Sequence, residues 1–247
     1  MSTSRAFCVP GVFFLLAATV LLIITSVSLP FLPAIDFVRA HVQSGNVGVA
    51  NTQGIATSSS ISQLKVSSDQ FGVWAYCAVE SASGNRDCSN SGYAYGVVVR
   101  DNSSNDSVTI KSSWTRGLAV HPVAAVVSFI ALLLSFSTHI TVTLIASLVS
   151  FLAALITLIA FAIDIALFAF VKHEVGKLSG SRFMTNTAPA FWMTFAAFIL
   201  LLLAGCTVCF GRRRQSRSYA ADASEPGPYQ SRYGGGFWNR FRRTPKI

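Results

Sequence analysis

Four long apolar runs decide what this 247-residue chain can become. Hydrocarbon offers a backbone no hydrogen-bond partner, so a run of about 18 or more apolar residues crosses it as a helix. The first run, "GVFFLLAATVLLIITSVSL", covers residues 11–29 and is stopped by Pro30 and Pro33. The others cover residues 120–136, 140–171 and 190–210. Their weight explains why only 12% of the chain is charged, where a soluble domain carries about 25%. One polar stretch, residues 30–119, is long enough to fold by itself. The expected class is an all-α membrane protein: a four-transmembrane-helix bundle with a small, disulfide-stapled, β-rich extracellular domain.

Charge orients the bundle. The net charge is +9, and nine of the nineteen basic residues fall in the tail, residues 211–247, against two acids there. Basic segments beside a span stay in the cytoplasm. The tail is therefore placed inside, with Arg212, Arg213, Arg214 and Arg217 against anionic inner-leaflet lipid. Residues 211–247 read as a basic disordered tail, most plainly in the middle, "SEPGPYQSRYGGG", with the end, "GGGFWNRFRRTPKI", able to lie on the membrane as an amphipathic surface element. Four spans put residues 1–10 inside as well. Residues 30–119 and 172–189 become extracellular loops, and residues 137–139 a cytoplasmic turn that makes the second and third spans antiparallel neighbours. Lys172, Lys177 and Arg182 make one outer loop mildly basic, but the tail outweighs them. Span one admits a second reading, a cleaved signal peptide with Ser26 and Ser28 near the cut, although its apolar stretch exceeds the usual length of about 7–15 residues. Span three is roughly 46 Å long at 1.5 Å per residue, against about 30 Å of hydrocarbon. It should tilt, or project on the outer side. Its Ser, Thr and Ala residues suit close helix packing.

Within the outer segment, "FGVWAYC" (residues 71–77) places a Trp, a Tyr and a Cys among polar residues. "YAYGVVVRD" and "SVTIKSSW" have strand composition, and "SGNRD" between Cys77 and Cys88 reads as a turn. A hairpin there brings the two cysteines together in an oxidising compartment. A disulfide closing this loop contributes about 3 kcal/mol in the chain-entropy account; the alternative is two free, buried thiols. Two sequons follow at Asn102 and Asn105, both glycosylation candidates in a polar tip. Trp74 reads as domain core or interface anchor in preference to a ligand site.

A Gly-x-Trp-x-x-Cys followed by a second Cys, here Gly72, Trp74, Cys77 and Cys88, resembles the claudin-like pattern. With "TRGLAVHPVAA" (115–125), "LITLIAFAIDIALF" (155–168) and "FWMTFAAFILLLLAGCTVCFG" (191–211), the chain is similar to the fungal PalI family. That resemblance implies a plasma-membrane accessory of ambient-pH signalling, which helps a seven-span PalH-type sensor reach or remain at the plasma membrane. The same superfamily includes eisosome-type organisers of membrane domains, the alternative reading. Some PalI members carry a long cytoplasmic tail, which this chain lacks.

Few residues suggest chemistry. Asp164 is the only acid inside a span, where a charge costs about 2.5–3.5 kcal/mol. It reads either as an ion or proton site or, preferably, as a bundle-facing carboxyl bonded to another helix. His121, before Pro122 at the outer mouth of span two, reads as an external-pH sensor or, more simply, as a helix-start residue at the interface. Cys206 and Cys209 form CxxC without the βαβ context of a redox motif or further zinc ligands nearby. With Cys8 they are candidates for S-palmitoylation. No catalytic constellation, metal set or cofactor motif is evident, so an enzyme is not expected. A transporter centred on Asp164 is the weakest reading, since one intramembrane charge and no broken helices support it. The expected partners are the lipid bilayer, the sensor and possible further copies of the chain (a homo-oligomer), and not nucleic acid.

Overall fold

The computed structural model describes residues 5–44, 47–51, 66–81, 83–89, 91–101, 104, 106–137, 140–178 and 182–224. Helix α1 (Arg5–Phe31) leads into strands β1 (Val38–Ser44), β2 (Val47–Asn51), β3 (Val66–Phe71), β4 (Tyr76–Glu80), β5 (Arg86–Cys88), β6 (Val97–Asp101) and β7 (Ser107–Ile110). A short α2 (Ser112–Thr115) and a 3-10 turn (Arg116–Ala119) run into α3 (Val120–Ser135). Then come α4 (Ile140–Val175), β8 (Arg182–Thr187) and α5 (Pro189–Ser224). Among the described residues, four stretches are long and apolar enough to cross a membrane: Pro10–Leu29, Ser112–Ser135, Thr141–Val175 and Pro189–Thr207. The chain is a multi-pass membrane protein.

The all-α expectation needs correction. The described strands build two antiparallel sheets, one ordered β5-β4-β3-β1-β8 and one ordered β2-β6-β7. The protein is therefore an α+β membrane protein, with a β domain seated on the helical bundle. The expected loop at 172–189 contains strand β8, which pairs with β1 from Val38↔Thr187 to Ser44↔Arg182. "RFMTNT" lacks a clean apolar alternation, so its strand character comes from the partner and not from local pattern. "SVTIKSSW" stops being strand at Ile110, because Ser112–Thr115 turns into α2 and stacks the Trp114 ring on Phe170 of α4, 4.2 Å between centroids and 14° from parallel. The register sets Cys77 opposite Cys88, and the two form the disulfide with Cα atoms 4.0 Å apart. Gly84, at φ 69°, supplies the left-handed residue that the intervening turn requires.

Two cores result. In the bundle, alanines (Ala18, Ala124, Ala131, Ala153, Ala197 and Ala204) interleave with Leu15, Leu22, Leu132 and Leu201. Small side chains let the helix backbones approach closely, the usual packing of membrane helices. Hydroxyls such as Thr19, Ser128 and Thr157 are satisfied by their own helix, donating to Leu15 O, Ala125 O and Ala153 O. In the β domain, Phe37, Phe71, Tyr95, Val97, Val99 and Ile110 pack with Val171 and Val175. Helix α4 thus projects beyond the bundle and becomes a strut in the domain core. At the other end α5 continues to Ser224, so residues 211–224 are helical where disorder was expected. Arg, Gln and Ala propagate a helix well once it is nucleated. The disordered and amphipathic readings of the remaining tail lie outside the described residues.

Candidate functional site

The seam between bundle and β domain holds most of the residues singled out in the sequence. Helix α1 breaks at Ser28 (φ −21°, ψ −152°) and Leu29 (φ −55°, ψ 139°). The break traces to Pro30, whose nitrogen cannot donate to the carbonyl of Ser26 four residues back. Trp74 supplies the missing donor: its Nε1–H donates to Ser26 O at 2.7 Å. One residue earlier, the Val73 N–H donates to Ser28 Oγ at 2.9 Å. Gly72 lies so close to the helix that a Cβ on it would meet Leu29 Cβ at 2.5 Å and Leu29 N at 3.0 Å. The Tyr95 hydroxyl donates to Gly72 O at 2.7 Å, and Thr115 Oγ1 donates to Tyr95 O at 2.6 Å. "FGVWAYC" is thus held by the broken end of α1, and Trp74 is a half-buried fastening.

A second fastening repeats this logic. In "AVHP", Pro122 occupies the first turn of α3 and cannot donate to Leu118 O. The His121 ring does so through Nδ1 at 2.9 Å. A carbonyl only accepts, so Nδ1 carries a hydrogen and Nε2 is left facing α4 and α5. There it lies 3.2 Å from Asp164 Oδ2 and 3.4 Å from Thr194 Oγ1. Thr194 in turn donates to Ala190 O at 3.0 Å. His121, Asp164 and Thr194 are all completely buried. Asp164 Oδ1 has no partner among the described residues. Gly117, one turn before the histidine, lets the 3-10 turn rest on α4, since a Cβ there would sit 2.7 Å from Ile163 Cγ2.

The two fastenings are joined by the segment after α1. The Phe37 ring packs edge-on against His121, 4.6 Å between centroids. Its N–H donates to Phe71 O at 2.8 Å, and its carbonyl accepts from Ala188 N at 3.1 Å. The neighbouring Asp36 is fully buried, its carboxylate held by Arg39 at 2.9 Å through Nε and 2.7 Å through Nη2. Asp36 O also accepts the N–H of Ala190 at the start of α5.

The placement changes two expectations. Asp164 meets a histidine on α3 where a hydroxyl was expected, and the Thr194 hydroxyl of α5 is reached through that ring. His121 is not an interfacial residue open to the external medium but a closed interhelical contact, because its two ring nitrogens serve Leu118 and Asp164. Phe37, Asp36 and Thr194 were not anticipated. Only the position of Thr194, one turn inside α5, could have suggested a contact. Cys206 is free and exposed on α5. Cys8 and Cys209 lie on α1 and α5, and Arg212, Arg213, Arg214 and Arg217 on the continued α5, with side chains outside the description. Asn102 and Asn105 fall outside the described residues, between the paired strands β6 and β7. Among the described residues, no group of three or more His, Cys, Asp and Glu is placed to hold a metal.

The pair makes a testable prediction. Removing one member leaves the other buried without its partner, at about 3 kcal/mol. His121→Leu with Asp164→Leu should cost clearly less than the sum of the single changes, with a coupling of about 2 kcal/mol. Additive thermal-unfolding shifts in detergent would refute the contact.

The family model described as the SUR7/PalI family matches residues 7–204. That span runs from the start of α1 into the last transmembrane stretch and includes both fastenings. No curated protein matches the chain.

Proposed function

Since the chain belongs to the SUR7/PalI family, we propose that it is a plasma-membrane accessory of ambient-pH signalling that helps a seven-span PalH-type sensor reach or remain at the cell surface. The observation that carries this reading is how the polar groups of the seam are used. Trp74, His121, Asp164, Thr194 and Asp36 are bonded to other parts of the chain, which suits a rigid membrane partner better than a turnover site. In this reading the β domain is extracellular, because a Cys77–Cys88 disulfide persists in an oxidising compartment. The basic run Arg212–Arg217 then lies in the cytoplasm beside anionic lipid. Both termini are cytoplasmic, since four spans return the chain to the side on which it began.

The test is the location of a fluorescently tagged PalH-type sensor in cells lacking this protein. We expect the sensor to be retained inside the cell and alkaline growth to fail, with both restored by the full chain. A sensor that reaches the plasma membrane normally would overturn the proposal and direct attention to organisation of eisosome-type membrane domains.

A further inference from the structure

The lipid-facing side of α4 changes character within one turn. Leu155, Leu158, Ile159 and Ile165 are exposed along the bundle, as hydrocarbon contact requires. Directly above them on the β-domain side lies an open groove of about 620 Å³, lined by Phe168, Ala169, Lys172, His173, Gly176 and Lys177. Two i,i+4 rows form its walls, Phe168–Lys172–Gly176 and Ala169–His173–Lys177. The small Ala169 and Gly176 leave the hollow between them. Its lower part is apolar and its rim cationic.

The groove sits at headgroup height. Asp164 is level with Thr194, which it approaches through His121. From Thr194 to the start of α5 at Pro189 is about 7.5 Å of helix, and from Asp164 to Lys172 about 12 Å. Lys172 therefore lies a few ångströms beyond the level at which the α5 span begins, near the end of the α4 span. The partly exposed Trp114, stacked on Phe170, lies near this level, where Trp rings favour the membrane–water interface. Lys177 is paired with Glu174 at 2.7 Å. Lys172 makes no ion pair among the described residues.

We infer that this groove binds an anionic phospholipid of the leaflet adjoining the β domain, with Lys172 and His173 meeting the phosphate and Phe168 and Ala169 meeting the first part of an acyl chain. Charge complementarity at the rim and continuity with the lipid-facing side of α4 select a lipid over a soluble anion. The opposite side of α4 at this height, Leu167, Val171 and Val175, is buried in the domain core, so the groove is backed by packed side chains.

Native mass spectrometry of the full chain, released from micelles containing equal short-chain phosphatidic acid and phosphatidylcholine, tests this. Phosphatidic acid should be retained preferentially. Lys172→Ala should cut that preference about fivefold, the weight of one cation at a lipid surface, whereas Lys177→Ala should change it little. Ala169→Trp should fill the hollow and reduce lipid retention while leaving the unfolding temperature unchanged. Equal retention of both lipids, or a preference that survives both Lys172→Ala and Ala169→Trp, would overturn the inference. So would displacement of phosphatidic acid by excess inorganic phosphate, which would indicate a site for the bare anion.

Discussion

Gly72→Val is expected to unseat the β domain from helix α1, at a cost of about 4 kcal/mol. A Cβ at position 72 would lie 2.5 Å from Leu29 Cβ, 3.0 Å from Leu29 N and 3.1 Å from Leu29 Cα. No rotamer of Leu29 relieves this, because its Cβ, N and Cα positions are fixed by the backbone. The strand end must move instead, and three hydrogen bonds move with it: Trp74 to Ser26, Val73 to Ser28 and Tyr95 to Gly72. Gly72 is not left-handed, so space and not backbone freedom makes it necessary. Trp74→Phe is the control. It keeps the apolar ring and removes only the donor, leaving Ser26 O unpaired at about 1–2 kcal/mol. Thermal unfolding and limited proteolysis of the detergent-solubilised protein read both changes. An unfolding temperature for Gly72→Val within the range of Trp74→Phe would mean that the seam yields, and the close approach would lose its meaning.

How much of this was legible in the chain depends on range. The spans were legible because hydrocarbon forces a local rule: about twenty apolar residues must bond among themselves. The Cys77–Cys88 bridge was legible because its residues are near in sequence and the turn between them is readable. Strand β8 was not, since its six residues gain strand character only against β1, far earlier in the chain. The same holds for the buried pair. Asp164 and His121 each stood out alone, yet nothing local says that residues 43 positions apart meet. One signal was available in both fastenings. A proline near a helix end orphans a carbonyl four residues back, and a ring N–H stands ready to fill it: Trp74 for Pro30, His121 for Pro122. The orphan is predictable from sequence, whereas the identity of its donor depends on the tertiary fold. The tail illustrates the converse. The region was expected to be a basic disordered tail, but residues 211–224 continue a helix already in progress.

The β domain should lose stability as the medium becomes neutral, and Asp69 is the residue expected to cause most of the slope. It lies on the central strand β3, almost wholly buried. The Tyr76 hydroxyl donates to its Oδ1, while Oδ2 has no partner among the described residues. Burial pushes the carboxyl up to about 7, with the Tyr76 hydrogen bond pulling the other way. Tyr76 is itself pushed up by burial and by the nearby Asp69, Tyr95 and Asp87, so it stays a donor across the range. In the unfolded chain the same carboxyl releases its proton near 3.9. Between these values the native state holds the proton and the unfolded state does not, so stability falls with rising pH. The contribution is complete below about pH 4 and gone above about pH 7; between pH 5 and pH 8 the loss is about 3 kcal/mol. Asp69→Asn keeps an acceptor for Tyr76 and cannot ionise. Its unfolding temperature should change less over that interval, and at pH 8 the variant should be the more stable protein. Parallel pH profiles for the two proteins would show that the native carboxyl is already ionised under acidic conditions, which would require a donor to Oδ2 that the fold does not present.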